Sequence, residues 1–109
     1  MKSKPVIPRE RAARDVHEAI DYYLSEHAPE AALGFIDALK EAYGRISRHP
    51  DAGSSRYAGE LNLPGLRSWP LNKYPHVGFY LVQRDHVDVW RVLHSKRDIP
   101  AWMQEPDLR

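Results

Sequence analysis

The chain has 109 residues, a formal net charge of +1 at pH 7 and no cysteine. This length suits one domain, and a chain without cysteine has no disulfide framework and no thiolate metal site. No apolar run approaches the ~20 residues of a membrane helix or forms the core of a signal peptide, so we expect a cytoplasmic protein. We expect a single domain over residues 1–109, with frayed ends at 1–4 and 104–109.

The N-terminal half predicts a short strand followed by two helices. Residues 4–8 are apolar with a proline near each end, which suits a short edge strand. Apolar residues recur at helical spacing over residues 9–27 and again over 29–48, so each helix has one apolar face. Ala28-Pro29 interrupts the helical pattern, because the residue before proline avoids helical angles, and the interruption is short. The two helices must therefore fold back as an antiparallel hairpin.

Three strands are predicted in the C-terminal half. After an irregular loop over residues 51–64, a short strand covers 66–69 and a second covers 77–82. The second strand is apolar on both faces, which is typical of a central strand. A polar break at 83–86 predicts a hairpin into a strand over 87–94. The order indicates an α+β fold, with a helix hairpin on one face of a sheet that contains a three-stranded antiparallel meander.

Basic side chains are concentrated in the strand half of the chain. Residues 66–98 hold six Lys or Arg and three Asp, a net charge of +3, whereas residues 9–49 hold six Lys or Arg and eight Asp or Glu, a net charge of −2. Nucleic-acid-binding domains usually have a pI above ~9, and the pI here is about 8.1, so we expect no sequence-specific contact with nucleic acid.

The candidate target-binding residues lie around the end of the last strand. We expect the short strand over 66–69 to lie close to the end of the strand over 87–94 and to add one arginine to a cationic cluster. The predicted cluster consists of Arg67, His94, Lys96 and Arg97. Arg91 is different, because it lies in an apolar row of the last strand. We predict that it snorkels or pairs with an acid on a helix.

Several short motifs in a fixed order resemble the ParE branch of the RelE/ParE toxin superfamily, the toxic halves of bacterial type II toxin–antitoxin modules. The resemblance covers roughly residues 5–99 and includes the amphipathic helix pair. The ordered set of motifs, which ends in Arg91-Val92-Leu93-His94 followed by Arg97-Asp98, is typical of the ParE-like plasmid-stabilisation group. The other matching segments are His49-Pro50 with Gly53, Pro64-Gly65-Leu66-Arg67, Tyr74-Pro75 and Phe79-Tyr80.

The resemblance implies a RelE/ParE-like fold with the element order β-α-α-β-β-β. It implies a toxin that inhibits DNA gyrase by binding, without catalysis and without a cofactor. It also implies a neutralising ParD-like antitoxin, a ribbon-helix-helix protein whose tail folds on binding. We expect this antitoxin to cover aromatic side chains, which are frequent interface anchors. The predicted antitoxin-binding residues are Tyr23, Trp69, Tyr80, Trp90 and Trp102.

Two other function classes stay open on the sequence alone. A RelE-like ribosome-dependent mRNA endonuclease needs a base for the 2′-OH proton, an acid for the leaving oxygen and cations around the phosphate. His94 is the candidate base, but RelE-type sites place a tyrosine or histidine after the last strand, and residues 96–109 contain neither. A binding module with neither target is the third class. The six histidines are scattered without the spacing of metal ligands, so we predict no metal site.

Overall fold

The computed structural model describes residues 3–96 and 99–103, the side chain of Trp102 excepted. Each predicted helix and strand forms within two residues of its predicted ends. In chain order the elements are β1 (Val6–Pro8), α1 (Glu10–Ser25), α2 (Pro29–Arg48), a 3-10 turn (Pro50–Ala52), α3 (Arg56–Glu60), β2 (Arg67–Pro70), β3 (His76–Val82), β4 (Val87–His94) and α4 (Ile99–Met103).

Two long strands, β3 and β4, occupy the centre of a four-stranded sheet with the order β1-β4-β3-β2. The last three strands are antiparallel neighbours, as the predicted meander requires, and β1 runs parallel to β4 at one edge. The α+β prediction and the central position of the strand over residues 77–82 are confirmed. The end of β4 therefore lies beside the start of β3 and on the far side of β3 from β2.

The helices α1 and α2 form the predicted hairpin and pack on one face of the sheet. Pro29 begins α2, where its missing N–H leaves no helical hydrogen bond unmade. Neither helix, nor any other helix in the described residues, is long and apolar enough to cross a bilayer. The core on this face contains Ala12, Ala19, Phe35, Ala38, Leu39, Ala42, Ile46, Leu71, Tyr80, Val87, Val89 and Val92.

A second core lies on the opposite face of the sheet, where α3 and α4 cover it. Alternate residues of a strand face opposite sides, and Phe79 belongs to this core while Tyr80 belongs to the first. Tyr57 of α3 packs edge to face on Phe79, with ring centroids 5.2 Å apart. The irregular loop predicted over residues 51–64 is therefore partly wrong, because apolar side chains fold it against the sheet. The second core contains Leu61, Leu66, Phe79, Leu93, Ile99 and Met103.

A β-bulge at Trp90 changes which residues of β4 face the helices. Phe79 pairs with Arg91, but the next residue of β3, Tyr80, pairs with Val89, so Trp90 is the extra residue. Strict alternation would put Leu93 on the same face as Val89. The bulge instead places Leu93 in the second core, and Val92 joins Val89 under the helices.

Candidate functional site

A buried ion pair joins α1 to β4 and forms the floor of the candidate site. Arg91 has no exposed surface, and its Nε and Nη2 donate to the two carboxylate oxygens of Asp15 at 2.7 and 2.8 Å. The same carboxylate accepts the backbone N–H of Val92 and Arg11 Nη1, each at 3.0 Å. These four bonds use the acceptor capacity of Asp15. Of the two outcomes predicted for Arg91, pairing with an acid on a helix is confirmed, and snorkelling is wrong because the side chain is fully buried.

A groove of about 400 Å³ opens beside this pair, between α1 and the adjoining ends of β3 and β4. His76 begins β3 and pairs in register with His94, which ends β4, so the two histidines meet at this edge. We call this cavity the α1–β4 groove. Its lining residues are Asp15, Glu18, Ala19, Tyr22, Tyr23, His76, Val92, Leu93, His94 and Lys96.

Aromatic rings form one side of the α1–β4 groove. Tyr22 and Tyr23, consecutive on α1, meet edge to face with centroids 5.5 Å apart. The Tyr23 ring lies 6.5 Å from His76, and His76 lies 5.3 Å from His94, so ring contacts run from α1 to β4. Partial burial, with smaller contributions from Tyr74 and Tyr22, raises the pKa of Tyr23. Because even an unperturbed tyrosine has a pKa of ~10, the hydroxyl is protonated at neutral pH and can donate a hydrogen bond.

The polar end of the α1–β4 groove consists of His94 and Lys96. The backbone N–H of Lys96 donates to His94 Nδ1 at 3.1 Å. Because Nδ1 accepts, the neutral imidazole carries its proton on Nε2 and presents a donor there. The Lys96 side chain is exposed, and within residues 3–96 and 99–103 no carboxylate pairs with it. Arg97, the remaining member of the predicted cluster on this side, lies outside the described residues.

Arg67 is far from the polar end of the groove. It pairs with Tyr80 across β2 and β3, whereas His94 pairs with His76, so two strand spacings and four residues along the strands separate the two sites. With ~4.8 Å between strands and ~3.4 Å per residue, the separation is roughly 17 Å. Arg67 Nη1 instead donates to the carbonyl oxygen of Gly53 at 2.8 Å. The expected proximity of β2 to the end of β4 is not found, because β3 lies between them.

Three of the predicted antitoxin-binding residues are partly exposed, and they lie in different places. Tyr23 lines the α1–β4 groove. Trp69 lies beside α2, at a second cavity of about 450 Å³. The guanidinium carbon of Arg9 lies over the Trp90 ring, 4.3 Å from its centroid. The indole Nε1 of Trp90 donates to the carboxylate of Asp88 at 3.1 Å. These candidate contacts therefore lie at three separate places rather than forming one patch.

Tyr80 is a core residue. It has no exposed surface, and its hydroxyl donates to the carbonyl oxygen of Pro50 at 2.9 Å. Burial raises the pKa of Tyr80. The hydrogen bond to Pro50 holds the loop after α2 against the sheet. A side chain at Gly53 in the same loop would collide with the Tyr80 hydroxyl. We therefore leave Tyr80 out of the candidate contacts, and the side chain of Trp102 lies outside the described residues.

Seven of the ten groove residues were not predicted as site residues, and they include Glu18, Tyr22 and His76. Glu18 and Tyr22 are four positions apart on α1, so they lie on one helix face. This spacing could have placed the two residues at one site from the sequence. His76 immediately precedes the strand predicted over 77–82, and nothing in the sequence pairs it with His94. In the part of the chain that the structure describes, no three metal-binding side chains come together.

A family model described as "ParE toxin of type II toxin-antitoxin system, parDE" matches residues 6–99. The matched range runs from β1 through β4 and includes every residue that lines the α1–β4 groove. The chain belongs to the ParE toxin family. The resemblance drawn from the ordered motifs is therefore confirmed, and this ParE toxin is the toxin half of a ParDE-type module.

A solved structure described as a chromosomal ParDE TA system from P. aeruginosa has the same fold as this ParE toxin. The two align with a TM-score of 0.70 at 21% sequence identity, over 84% of this chain and 96% of that chain. At this identity the likeness concerns the fold and not the identity of contact residues. No curated protein gives a significant match.

Proposed function

We propose that this ParE toxin inhibits DNA gyrase by binding to it, and that a cognate ParD-like antitoxin neutralises it. Because gyrase acts on DNA inside the bacterial cell, this function places the toxin in the cytoplasm. The toxin then needs a recognition surface and no cofactor or metal. Family membership supports the class of target, and the α1–β4 groove offers a surface with aromatic and cationic side chains, the types enriched at interfaces.

One hydrogen bond supports binding rather than catalysis. The Lys96 N–H occupies His94 Nδ1, so the neutral ring has its proton on Nε2 and no acceptor nitrogen to spare. General-base attack on a 2′-OH needs such an acceptor within hydrogen-bond reach of the proton. His94 therefore lacks the free acceptor that the candidate base needs, and its Nε2–H can donate to a partner. Ribosome-dependent mRNA cleavage is the alternative function, and mapping of mRNA cuts in induced cells tests it.

The placement of the partly exposed aromatic residues supports an antitoxin whose tail wraps the toxin. Tyr23 lies in the α1–β4 groove, Trp69 beside α2, and Trp90 near β1 at the edge of the sheet. A segment that folds on binding can follow an extended path over several of them.

Purified gyrase tests the target. The folded toxin should inhibit supercoiling of relaxed plasmid or trap gyrase–DNA cleavage complexes. Lys96→Ala should raise the toxin concentration needed for half inhibition by about tenfold, the loss expected when one charged contact is removed from an interface. Lys40→Ala removes the same charge from an exposed position of α2 outside the groove, so it should act like the unmodified toxin.

Two results would contradict the gyrase assignment. One is a folded toxin that leaves gyrase unaffected at large excess while induced cells still die. The other is a set of ribosome-dependent cuts at codons, mapped by primer extension in induced cells, that disappear with His94→Gln. The second result would establish the RelE-like alternative. The antitoxin half is tested separately, by co-elution of the toxin with the product of the neighbouring small gene on gel filtration.

A further inference from the structure

A second groove, of about 450 Å³, lies between α2 and the edge strand β2. Within the described ranges it has no lining residue in common with the α1–β4 groove. We call it the α2–β2 groove. The residues that define it are Ala38, Glu41, Ala42 and Arg45 on α2, Trp69 on β2 and Lys73 in the turn that follows β2.

Cationic side chains come to the α2–β2 groove from both of its walls. Arg45 is 57% exposed, and its Nε lies 3.5 Å from the Glu41 carboxylate, so water screens this pair. Lys73 is exposed on the facing turn, and in the part of the chain that the structure describes no carboxylate lies within salt-bridge distance of it. Arg48 follows Arg45 by three positions and extends the same face of α2. A ligand of this groove therefore carries negative charge.

The α2–β2 groove also has an aromatic wall. Trp69 is partly exposed and lines the groove from β2. Across from it, α2 carries Ala38 and Ala42, whose short side chains leave room beside the indole. An aromatic ring next to cationic side chains suits a ligand that has a planar group and a negative charge close together.

The backbone of Lys73 is in an unusual conformation. Its φ is +67°, in the left-handed region that few residues with side chains adopt. The turn is fixed on both sides, because the Leu71 N–H donates to the His76 carbonyl at 2.9 Å and the Tyr74 hydroxyl donates to the Ala31 carbonyl at 2.8 Å. Glycine would fit this position without strain. Strained positions of this kind cluster at binding sites, so the strain points to a use for the Lys73 ammonium.

We infer that the α2–β2 groove binds single-stranded DNA, with a base against Trp69 and phosphates on Lys73 and Arg45. A cationic groove with an aromatic platform is the general arrangement for binding single strands without sequence preference. An acidic peptide would satisfy the two cations, but it has no planar group beside each charge. The inference rests on the proposed function for the source of the DNA, since cleaved DNA on gyrase exposes bases that a closed duplex keeps stacked. The toxin would then prefer gyrase that holds DNA.

Fluorescence anisotropy measures the contact directly. The purified toxin is titrated into a labelled single strand of roughly 12 bases, and the expected dissociation constant is about 1–100 μM at physiological salt. Lys73→Gly should weaken binding about fivefold and make it less dependent on salt, because one phosphate contact is lost. The same variant should keep or raise the melting temperature, since glycine adopts a positive φ freely. A loss of affinity is thus separated from a loss of fold.

Two matched controls remove the same charge elsewhere. Lys40→Ala lies on α2 outside both grooves, and Lys96→Ala lies in the α1–β4 groove. Both should bind the single strand like the unmodified toxin. Equal losses in all three variants would mean that the strand responds to net charge alone, and no binding at the highest toxin concentration would mean that there is no site. Either result would overturn the inference.

Photo-crosslinking tests the base contact. A single strand that carries iodouracil should cross-link to Trp69, located by mass spectrometry of the digested toxin, and cross-links confined to Trp90 or Tyr22 would contradict the assignment. Oligoglutamate of the same charge should displace the single strand poorly. Equal displacement would show that the groove recognises negative charge without a base, and an acidic peptide would then replace DNA as its ligand.

The gyrase reaction is a separate measurement. At equal toxin concentration, Lys73→Gly should trap fewer gyrase–DNA cleavage complexes than the unmodified toxin, and Lys40→Ala should trap as many. Equal trapping by Lys73→Gly would show that the DNA contact plays no part on gyrase. If the unmodified toxin leaves gyrase unaffected, the proposed function fails, and the anisotropy titration still decides whether the α2–β2 groove binds DNA.

Discussion

Two arginine–aspartate pairs connect the N-terminal part of the chain to β4, and they differ mainly in burial. Arg91 and Asp15 have 0% and 6% of their side chains exposed, whereas Arg9 and Asp88 have 33% and 13% exposed. Both pairs are forked. Arg9 Nε and Nη2 bind the two oxygens of Asp88 at 3.0 and 2.8 Å, much as Arg91 binds Asp15. Similar geometry thus occurs in two different surroundings.

The comparison shows that surroundings, more than geometry, set the consequence of breaking such a pair. When one partner of a buried pair is removed, the other charge is left without water or a counter-charge. Asp15 also holds the backbone N–H of Val92, so its loss would leave a strand donor without its acceptor. When the more exposed pair is broken, water can solvate Arg9.

Asp15→Ala should give the largest loss of stability, about 3–5 kcal/mol, because it leaves Arg91 charged and buried. The free energy of unfolding from denaturant melts measures it. Glu18→Ala is the matched control on the same helix, since the Glu18 side chain is 54% exposed and its carboxylate contacts the same Arg11. The control should lose less than about 1 kcal/mol. A loss below about 1 kcal/mol for Asp15→Ala would mean that Arg91 finds another partner.

Leu39→Ala gives an apolar reference for the same core. Leu39 is buried on α2 among the residues that pack on the helix face of the sheet. We expect a loss of about 2–5 kcal/mol, as for other core leucines. Leu33→Ala is its control, because Leu33 is 64% exposed on the same helix and should change little. Similar losses in the two variants would mean that the apolar face of α2 is assigned incorrectly.

Asp88→Asn should cost less than Asp15→Ala, about 1 kcal/mol, because Arg9 stays accessible to water. Burial alone would raise the pKa of Asp88, but the hydrogen bond and charge of Arg9, with the Trp90 hydrogen bond, lower it overall. Its stabilisation is therefore complete above the unfolded pKa of ~3.9 and is lost as pH falls through the lowered folded pKa. In urea melts, the free energy of unfolding of the unmodified protein should exceed that of Asp88→Asn by a constant amount above about pH 5 and by a smaller amount in stronger acid. A stability difference that grows as the pH falls would contradict the lowered pKa of Asp88.

Tyr43→Phe should have the smallest effect. The Tyr43 hydroxyl oxygen is buried on the helix side without a hydrogen-bond partner among the described residues. Removing it should therefore leave stability within about 0.5 kcal/mol or raise it slightly. Burial, and then the charge of Asp15, raises the pKa of Tyr43 to about 12. The unmodified protein should lose stability as pH rises from about 10 towards 12, and Tyr43→Phe should lack this component. A clear loss at neutral pH would indicate an ordered water on the hydroxyl.

Much of the fold follows from the sequence because its signals are local. The helical spacing of apolar residues and Pro29 define the helix hairpin, and the apolar segments on either side of the polar break at 83–86 define β3 and β4. The ordered motifs were also sufficient to indicate the ParE toxin family. An acid on a helix was predicted as the partner of Arg91, but the residue was not identified. The reason for the prediction is that a guanidinium in an apolar row needs a counter-charge.

The tertiary structure decided which residues meet. Asp15 and Arg91 are 76 positions apart, and only the packing of α1 on β4 brings them together. The bulge at Trp90 depends on the register with β3, and this register also brings His76 to His94. Insertion of β3 between β2 and β4 separates Arg67 from the groove. Propensity and periodicity act over a few residues, whereas strand order and register are set by contacts between distant parts of the chain. The composition of the α1–β4 groove could therefore be read only from the folded protein.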